Sequence, residues 1–385
     1  MRVLILTGGY LPGYRYGGPV RSLAAIVEYL GDEIDISIVT SNHDLGDTTP
    51  YHDMKPDTWV RVGKARVWYT AGGRLALGFW RKVLVSSAPD VVYLNSFFDP
   101  VTAAFLIWLK TGLLPKQTIL LAPRGQFSKG ALHLKATKKR LHISLARRLG
   151  LLRNVAWHVS TLTEAEDLQR TIPEAQTIYI APNLVLPHND YSAPPVKLPV
   201  EVRMVFIARI SEKKNLLGAL RYLRLQTGKV IFDVYGPIED LAYWRTCLEA
   251  ASQLPSNIAF SYRGELAHSE VAETLSRYHF MLMPTLGENF GHSIAEALSQ
   301  GLPVLISDQT PWRNLEELGV GWDIRLDKSE DWTAAIERCI AMNEKEYRGM
   351  SERCRRHVVQ WTEEQGGLEA NRRMFHLAAA LAERD

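Results

Sequence analysis

Cysteine is scarce in this sequence of 385 residues, which contains only Cys247, Cys339 and Cys354 and no C-x-x-C spacing. Such an odd number favours neither a disulfide framework nor a zinc site, and it is typical of a protein in a reducing cytoplasm. The sequence also lacks Asp-x-Asp and any two histidines four residues apart. Because metal sites often use such spacings, we expect no dedicated metal and no resident cofactor.

Long hydrophobic runs are missing as well. The first apolar run ends at Thr7-Gly8-Gly9, too early for the core of a secretion signal. The longest uncharged apolar run, residues 101–109, is about half of what a membrane span needs. We therefore expect a cytoplasmic protein that is soluble or lies on a membrane surface. Fractions of 46% hydrophobic and 23% charged residues exclude a disordered or collagen-like chain.

Segments with strand-like and helix-like apolar spacing alternate along the chain, which predicts an α/β fold with parallel sheets. Five prolines lie between Pro182 and Pro199, as is typical of an interdomain connection. We therefore predict two Rossmann-like domains, residues 1–184 and 185–360, and a terminal helical segment, 361–385. The predicted strands are 1–7, 34–40, 91–94, 118–122, 156–160, 178–180, 204–208, 230–235, 280–283 and 304–306. The predicted helices include 20–30, 215–224 and 293–298.

A glycine-rich loop follows the first predicted strand. Its spacing is not G-x-G-x-x-G, and the second strand ends in Ser41-Asn42 without a ribose-binding acid, so a nicotinamide-dependent dehydrogenase is disfavoured. Missing side chains would let a ligand approach the backbone amides of a helix start, although an ordinary turn would use the same residues. The glycines are Gly8, Gly9, Gly13, Gly17 and Gly18.

Two cations and two carboxylates lie near predicted strand ends in the second domain. Arg209 and Lys214 share the loop after strand 204–208, where they suit a diphosphate or form a solvated basic loop. Glu288 lies in a strand-to-helix loop, and Glu296 lies inside the following helix. Paired carboxylates accept hydrogen bonds from vicinal hydroxyls of a sugar and a ribose. The alternative is a helix N-terminal charge followed by a solvated residue.

The E-x7-E spacing, the cation pair and the loop at Gly17-Gly18 together resemble the retaining, nucleotide-sugar-dependent glycosyltransferases of family 4. The resemblance implies the GT-B fold, in which two Rossmann-like domains face each other across a cleft and the terminal helix returns to the first. The first domain would bind the acceptor and the second the donor. Segments that match the bacterial polysaccharide and lipopolysaccharide branch are 16–22, 123–125, 235–237, 262–264 and 310–316.

The same resemblance implies residue roles. Arg209 and Lys214 would bind the donor diphosphate, Glu288 the hydroxyls of the transferred sugar, and Glu296 the ribose. Retention implies a front-face substitution, in which the acceptor hydroxyl gives its proton toward the leaving phosphate oxygen, and Glu288 is not assigned as a nucleophile. The predicted catalytic residues are Glu288, Arg209, Lys214 and Arg124. The predicted substrate-binding residues are Gly17, Gly18, Gly236, Arg263, Asn289, Phe290, Gly291 and Glu296.

Arg124 departs from the family pattern. Many members have a histidine there, in Pro-His-Gly rather than Pro-Arg-Gly, and that histidine usually faces the donor sugar. An arginine cannot act as a base at neutral pH, so the role expected of Arg124 is electrostatic or positional.

Acidic residues are absent between Pro100 and Thr163, where eleven bases occur. The net charge of the whole chain is +3, so the remainder sums to −8. Since leucines and an isoleucine lie among these bases, we predict that the stretch docks on anionic lipid, although a solvated basic face has the same composition. Nucleic acid is the weaker alternative, because few aromatics accompany the bases, and we expect no nucleic-acid partner.

The leading hypothesis is therefore a retaining, metal-independent hexosyltransferase, peripheral on the inner face of the membrane. It would move a sugar from a nucleotide-sugar donor to a lipid-linked or oligosaccharide acceptor in surface polysaccharide biosynthesis. The alternatives are a sugar-nucleotide epimerase of the same fold and a non-catalytic homologue that binds nucleotide.

Overall fold

The computed structural model describes residues 1–52, 54–133, 136–186 and 195–381. The chain divides into two compact units, Met1–Leu186 with Gln365–Asp385, and Pro187–Glu364. Pro187 and Pro194 of the predicted connection lie outside the described residues. Within the described ranges, no helix combines the length and the hydropathy needed to cross a bilayer.

The described part of the first unit contains an eight-stranded sheet in the order β3-β4-β2-β1-β5-β6-β7-β8. All neighbours are parallel except the antiparallel pair β3 and β4. The strands are β1 (Arg2–Leu6), β2 (Asp35–Ser41), β3 (Trp59–Val62), β4 (Ala65–Thr70), β5 (Val91–Leu94), β6 (Ile119–Leu121), β7 (Val155–Val159) and β8 (Thr177–Ile180).

Both faces of this sheet are buried under helices, as a parallel sheet requires. Alternation along β1 divides its side chains between the faces: Val3 and Ile5 join one hydrophobic cluster, and Leu4 and Leu6 the other. The helices are α1 (Gly18–Leu30), α2 (Leu77–Ser87), α3 (Pro100–Lys110), α4 (Lys129–His133), α5 (Ala136–Arg148) and α6 (Leu162–Thr171).

The C-terminal helix returns to the first unit, as predicted. The second unit ends with α13 (Glu344–Glu364), and α14 (Gly367–Leu381) then packs in the same cluster as α1. Met374 and Phe375 are each 1% exposed there, and burial of such side chains stabilises by roughly 1.5–3 kcal/mol each. The Arg372 guanidinium adds two hydrogen bonds to the Glu33 carboxylate, at 2.7 and 2.8 Å.

The described part of the second unit contains a parallel six-stranded sheet in the order β11-β10-β9-β12-β13-β14. Its strands are β9 (Glu201–Ile207), β10 (Lys229–Tyr235), β11 (Ile258–Tyr262), β12 (Phe280–Met283), β13 (Val304–Ser307) and β14 (Gly321–Ile324). Its other helices are α7 (Leu216–Leu223), α8 (Leu241–Ser252), α9 (His268–Leu275), α10 (His292–Ser299), α11 (Leu315–Leu318) and α12 (Ser329–Ala341). The predicted α/β class with two parallel sheets is confirmed.

Candidate active site

The order of strands reverses between β9 and β12, which are neighbours in the second sheet. The chain leaves β9 for β10 on one side, whereas β13 follows β12 on the other. Ligands of open α/β sheets bind beyond the carboxyl ends of the strands at such a point. Arg209 and Lys214 follow β9, and Glu288 follows β12. The structure therefore places three of the predicted catalytic residues beyond this edge.

Lys214 and Glu288 form an ion pair through Nζ and Oε1, with only 15% and 10% of their side chains exposed. The Thr285 hydroxyl donates to the same carboxylate oxygen at 3.1 Å. Burial acts to raise the pKa of Glu288, but Lys214 and Thr285 hold this pKa below its ordinary value. The carboxylate is therefore ionised at neutral pH and accepts hydrogen bonds.

Hydrogen bonds to backbone carbonyls connect the two loops that contain Lys214 and Glu288. The Lys213 carbonyl accepts from the Leu286 amide at 2.8 Å, and its oxygen lies 3.1 Å from the Thr285 hydroxyl oxygen. The side-chain amide of Asn215 donates to the Pro284 carbonyl at 2.8 Å. Sequence reasoning missed Thr285 and Asn215; their position, just after a strand and just before a helix, was the available signal.

Glu296 lies inside α10 and is 5% exposed, with Ala295 and Ala297 buried on either side. The interpretation of Glu296 as a solvated residue is therefore wrong. A buried carboxylate needs polar partners, because ionisation away from water is costly. This burial makes Glu296 a candidate for a specific polar role rather than a solubilising one.

The start of α10 is fixed by Gly291, whose φ of +81° suits glycine. The Trp312 indole donates to the Phe290 carbonyl at 2.7 Å. The Phe290 ring is itself 4% exposed and packs against Trp312 and Trp361. The side chain of Phe290 therefore supports the helix start, and the neighbouring Asn289 is half-buried.

The two arginines predicted to lie in the site, Arg209 and Arg263, are exposed and paired with carboxylates. Arg209 Nη1 lies 3.1 Å from Glu239 Oε1, and Arg263 Nε lies 3.1 Å from Asp233 Oδ1. Asp233 is buried and also accepts from the Tyr278 hydroxyl at 2.7 Å. In the described part of the chain, neither arginine is hydrogen-bonded to Lys214 or Glu288.

Gly236 is required by the backbone itself. Its φ is +137°, and a Cβ there would lie 2.0 Å from the Ala208 carbonyl oxygen. The Gly236 amide donates to the Gly264 carbonyl at 2.9 Å, and its own carbonyl accepts from Tyr262 at the same distance. This packing explains the glycine without reference to a ligand.

The space beside Gly8 and Gly9 in the glycine-rich loop is occupied by the ring of Tyr16, a residue of the same loop. A Cβ on Gly8 or Gly9 would lie 2.8 or 2.2 Å from the Tyr16 ring. Gly17 caps α1 with a φ of +67°, and Gly18 begins that helix. Gly8 and Gly9 therefore accommodate Tyr16, whereas Gly17 allows the turn into α1.

Arg124 follows β6 and is held by three hydrogen bonds of 2.7 Å each. Its guanidinium donates to the side-chain oxygens of Asn95, Asn183 and Tyr93. The backbone of Arg124 has a φ of +54°, which is uncommon for a residue other than glycine. The sequence did not indicate these partners, because they follow or belong to different strands of the sheet.

The acid-free stretch, residues 100–163, includes α3, α4 and α5 of the first unit together with β6 and β7. On α5, Leu141 and Leu145 are exposed by 68% and 54%, whereas Ile143 is buried; Leu149, directly after the helix, is exposed by 48%. Lys138 and Arg140 are exposed. The stretch thus contains an exposed surface with both leucines and bases. Leu134 and Lys135 lie outside the described residues.

A groove of about 840 Å³ adjoins this surface, between α4, α5 and α6. Its walls include Arg140, Arg147, Arg148 and Arg170. Lys139 does not share this exposure, since its Nζ donates to the Ala131 carbonyl at 2.6 Å and lies 5.3 Å from the centre of the Phe98 ring.

Comparisons with known proteins agree with this architecture. Residues 195–357 match the family model described as "Glycosyl transferases group 1". No curated protein matches the chain. Among solved structures, sucrose-phosphate synthase (tll1590) from Thermosynechococcus elongatus is 15% identical, with a TM-score of 0.69 over 98% of this chain and 99% of that one.

Two further structures are similar over most of the chain. Anabaena Alr3699/HepE in complex with UDP and glucose is 14% identical, with a TM-score of 0.66 over 99% of this chain and 100% of that one. WaaG, a glycosyltransferase involved in lipopolysaccharide biosynthesis, is 14% identical, with a TM-score of 0.62 over 92% and 95% of the two chains. At these identities the likeness shows the fold, which is GT-B, and the match to the group 1 model lies within the second unit.

Proposed function

We propose that the protein is a retaining glycosyltransferase of family 4 that moves a sugar from a nucleotide-sugar donor to a saccharide acceptor. The observation that carries this proposal is the Lys214–Glu288 pair, which lies beyond the strand reversal of the second sheet. The group 1 match over residues 195–357 supports it, as does the fold shared with a HepE structure that holds UDP and glucose.

The donor diphosphate lies against Lys214, Arg209 and the backbone amides at the start of α10. A helix N-terminus favours anions because its first amide groups have no partner within the helix. Arg209 and Glu239 are about half-exposed, and such surface ion pairs contribute only about 0–1 kcal/mol. Arg209 therefore leaves Glu239 at little cost when a phosphate arrives.

Glu288 accepts hydrogen bonds from hydroxyls of the transferred sugar, and Glu296 from the ribose. In the transfer step, the bond between the anomeric carbon and the phosphate oxygen breaks, and the acceptor oxygen bonds to the same face of that carbon. The acceptor's proton passes to the leaving phosphate oxygen. Lys214 and Arg209 stabilise the charge that develops on the diphosphate, so the reaction proceeds without a divalent metal.

The acceptor is lipid-linked and lies at an anionic membrane, in the biosynthesis of a surface polysaccharide. The exposed leucines of α5 and the neighbouring Lys138 and Arg140 support this part of the proposal. Bases near an anionic surface contribute about 1 kcal/mol each, and apolar side chains enter the headgroup region. The protein would then be cytoplasmic and peripheral on the membrane.

Incubation with a panel of nucleotide sugars, with and without EDTA, tests the proposed function. We expect slow release of free nucleotide from one donor, undiminished by EDTA and lost in Lys214→Ala. An epimerase would instead return a nucleotide sugar of altered configuration. Tight binding of a donor without any turnover, even with saccharide acceptors present, would favour the non-catalytic homologue.

A further inference from the structure

Arg124 lies where the strand order of the first sheet reverses. β1 and β5 are neighbours there, and the chain continues from them toward opposite edges of the sheet. Thr7 follows β1 and Asn95 follows β5, and the Asn95 amide donates to the Thr7 hydroxyl at 3.4 Å. Arg124 Nε donates to Asn95 Oδ1 at 2.7 Å. The guanidinium is thus attached to the part of the first sheet where a ligand is expected.

The partners of this guanidinium are all uncharged. Besides Asn95, they are Asn183 and Tyr93. The Tyr93 hydroxyl accepts from Arg124 and directs its own proton to His158 Nδ1, 2.7 Å away. His158 Nε2 then carries its proton and donates to the Ala181 carbonyl at 2.9 Å. Because a carbonyl oxygen only accepts, the donor and the acceptor of each of these hydrogen bonds are determined.

The two titratable partners in this series, Tyr93 and His158, stay neutral at physiological pH. Burial raises the pKa of Tyr93 to about 12 and, with the neighbouring Arg124 charge, lowers that of His158 to about 3. Within the described residues, Arg124 has no carboxylate partner. Its positive charge is therefore fixed in place and not compensated by any of its partners.

Two N–H groups of the guanidinium form no hydrogen bond with the described residues and are available to a ligand. Arginine has five such donors, and the protein uses one each on Nε, Nη1 and Nη2. Arg124 is partly exposed, and its left-handed backbone is held by Gly125, whose amide donates to the buried Glu164 carboxylate. One N–H on each terminal nitrogen matches two oxygens of a phosphoryl or carboxylate group.

We propose that Arg124 binds an anionic group, phosphoryl or carboxylate, on the saccharide substrate that the first unit receives. This inference rests on the proposed function for the identity of the ligand as a saccharide. If Arg124 binds such a group, the enzyme selects saccharide substrates that carry a negative charge over neutral ones. A lysine would keep the charge but would lose the three hydrogen bonds that orient the planar guanidinium.

Asn95→Asp tests the proposal without removing Arg124. The substitution keeps the shape of the side chain but neutralises the guanidinium from within the protein. NMR titrations of the full chain, saturated with a nucleoside diphosphate, would use glucose 6-phosphate, glucuronate and glucose as probes. We expect the wild type to bind at least one of the two anionic sugars about tenfold more tightly than glucose, and the phosphate and uronate probes separate the two sources of charge.

In Asn95→Asp this preference should disappear while the affinity for the nucleotide stays unchanged. Asn154→Asp adds the same charge at an exposed position of the same unit and should leave the preference intact. If Asn95→Asp fails to fold, Arg124→Gln and Arg124→Lys give the same comparison. Equal affinities for all three sugars in the wild type, or an unchanged preference in folded Asn95→Asp, would overturn the proposal. If the wild type does not bind the nucleoside diphosphate at all, the proposed function is overturned instead.

Discussion

Glu288→Gln should separate the binding of the sugar from the binding of the nucleotide. The substitution removes a charge, keeps the size of the side chain and leaves Lys214 without its carboxylate partner. Lys214 then interacts with the diphosphate alone. We expect the affinity for a bare nucleoside diphosphate to stay the same or to rise, while turnover of the nucleotide sugar falls.

The magnitudes follow from the partly buried position of the pair. Two unit charges about 7 Å apart interact by roughly 2 kcal/mol at an effective dielectric constant of about 20, so removal of the carboxylate relieves repulsion of that order. The loss of the contact that fixes Lys214 opposes this gain. The net change is therefore less than about 2 kcal/mol, which is less than about 30-fold tighter binding. A lost charge-assisted hydrogen bond to the sugar is worth about 1.5–3 kcal/mol, so turnover falls roughly 10- to 150-fold.

Titration calorimetry with the nucleoside diphosphate and a nucleotide-release assay measure the two effects. Lys214→Ala serves as the comparison, because it should weaken diphosphate binding by about 10- to 100-fold. If Glu288→Gln weakens diphosphate binding as much as Lys214→Ala does, the carboxylate holds the nucleotide and the assigned roles are wrong. Unaltered turnover in Glu288→Gln would remove Glu288 from the sugar site.

The remaining predictions concern Glu296 and the membrane. Glu296→Ala should weaken both nucleotide affinity and turnover, because the ribose loses its acceptor; calorimetry checks this, with exposed Glu273→Ala as the control, and equal affinity in both variants would contradict it. Vesicles with phosphatidylglycerol should bind the protein at low salt and release it at high salt, since screening weakens the attraction. Lys138→Glu with Arg140→Glu should abolish that binding, whereas exposed Arg245→Glu with Lys345→Glu should preserve it. If the wild-type protein does not bind these vesicles at low salt, the exposed surface of α5 is a solvated face and not a membrane-binding one.

The sequence predicted the main strands well because a buried parallel strand is a short, continuous apolar run. Val91–Leu94 and Phe280–Met283 match the predicted ranges. The antiparallel pair β3 and β4 was missed, as were β11 and β14. Arg61 is exposed in β3, and Ser261 in β11 is only half-buried, so β3 and β11 lack the continuous apolar signal.

The sequence predicted which residues belong to the candidate site, but it did not predict which of them contact each other. Glu288 is 74 residues from Lys214, and only the order of strands in the sheet brings them together. Burial also depends on tertiary packing, so the sequence alone does not show that Lys139, one of the eleven bases of the acid-free stretch, packs over Phe98. The neutral partners of Arg124 come from two other parts of the chain, the end of β5 and the segment after β8, and no local pattern indicates them.

The anomeric configuration of the product tests the central claim most directly. Once the panel identifies a donor, NMR of the transferred sugar compares the configuration of the new glycosidic bond with that of the donor. We expect the two configurations to be the same, with product formation greatly reduced in Glu288→Gln. A product of inverted configuration, or full activity in Glu288→Gln, would contradict retaining transfer at the Lys214–Glu288 site.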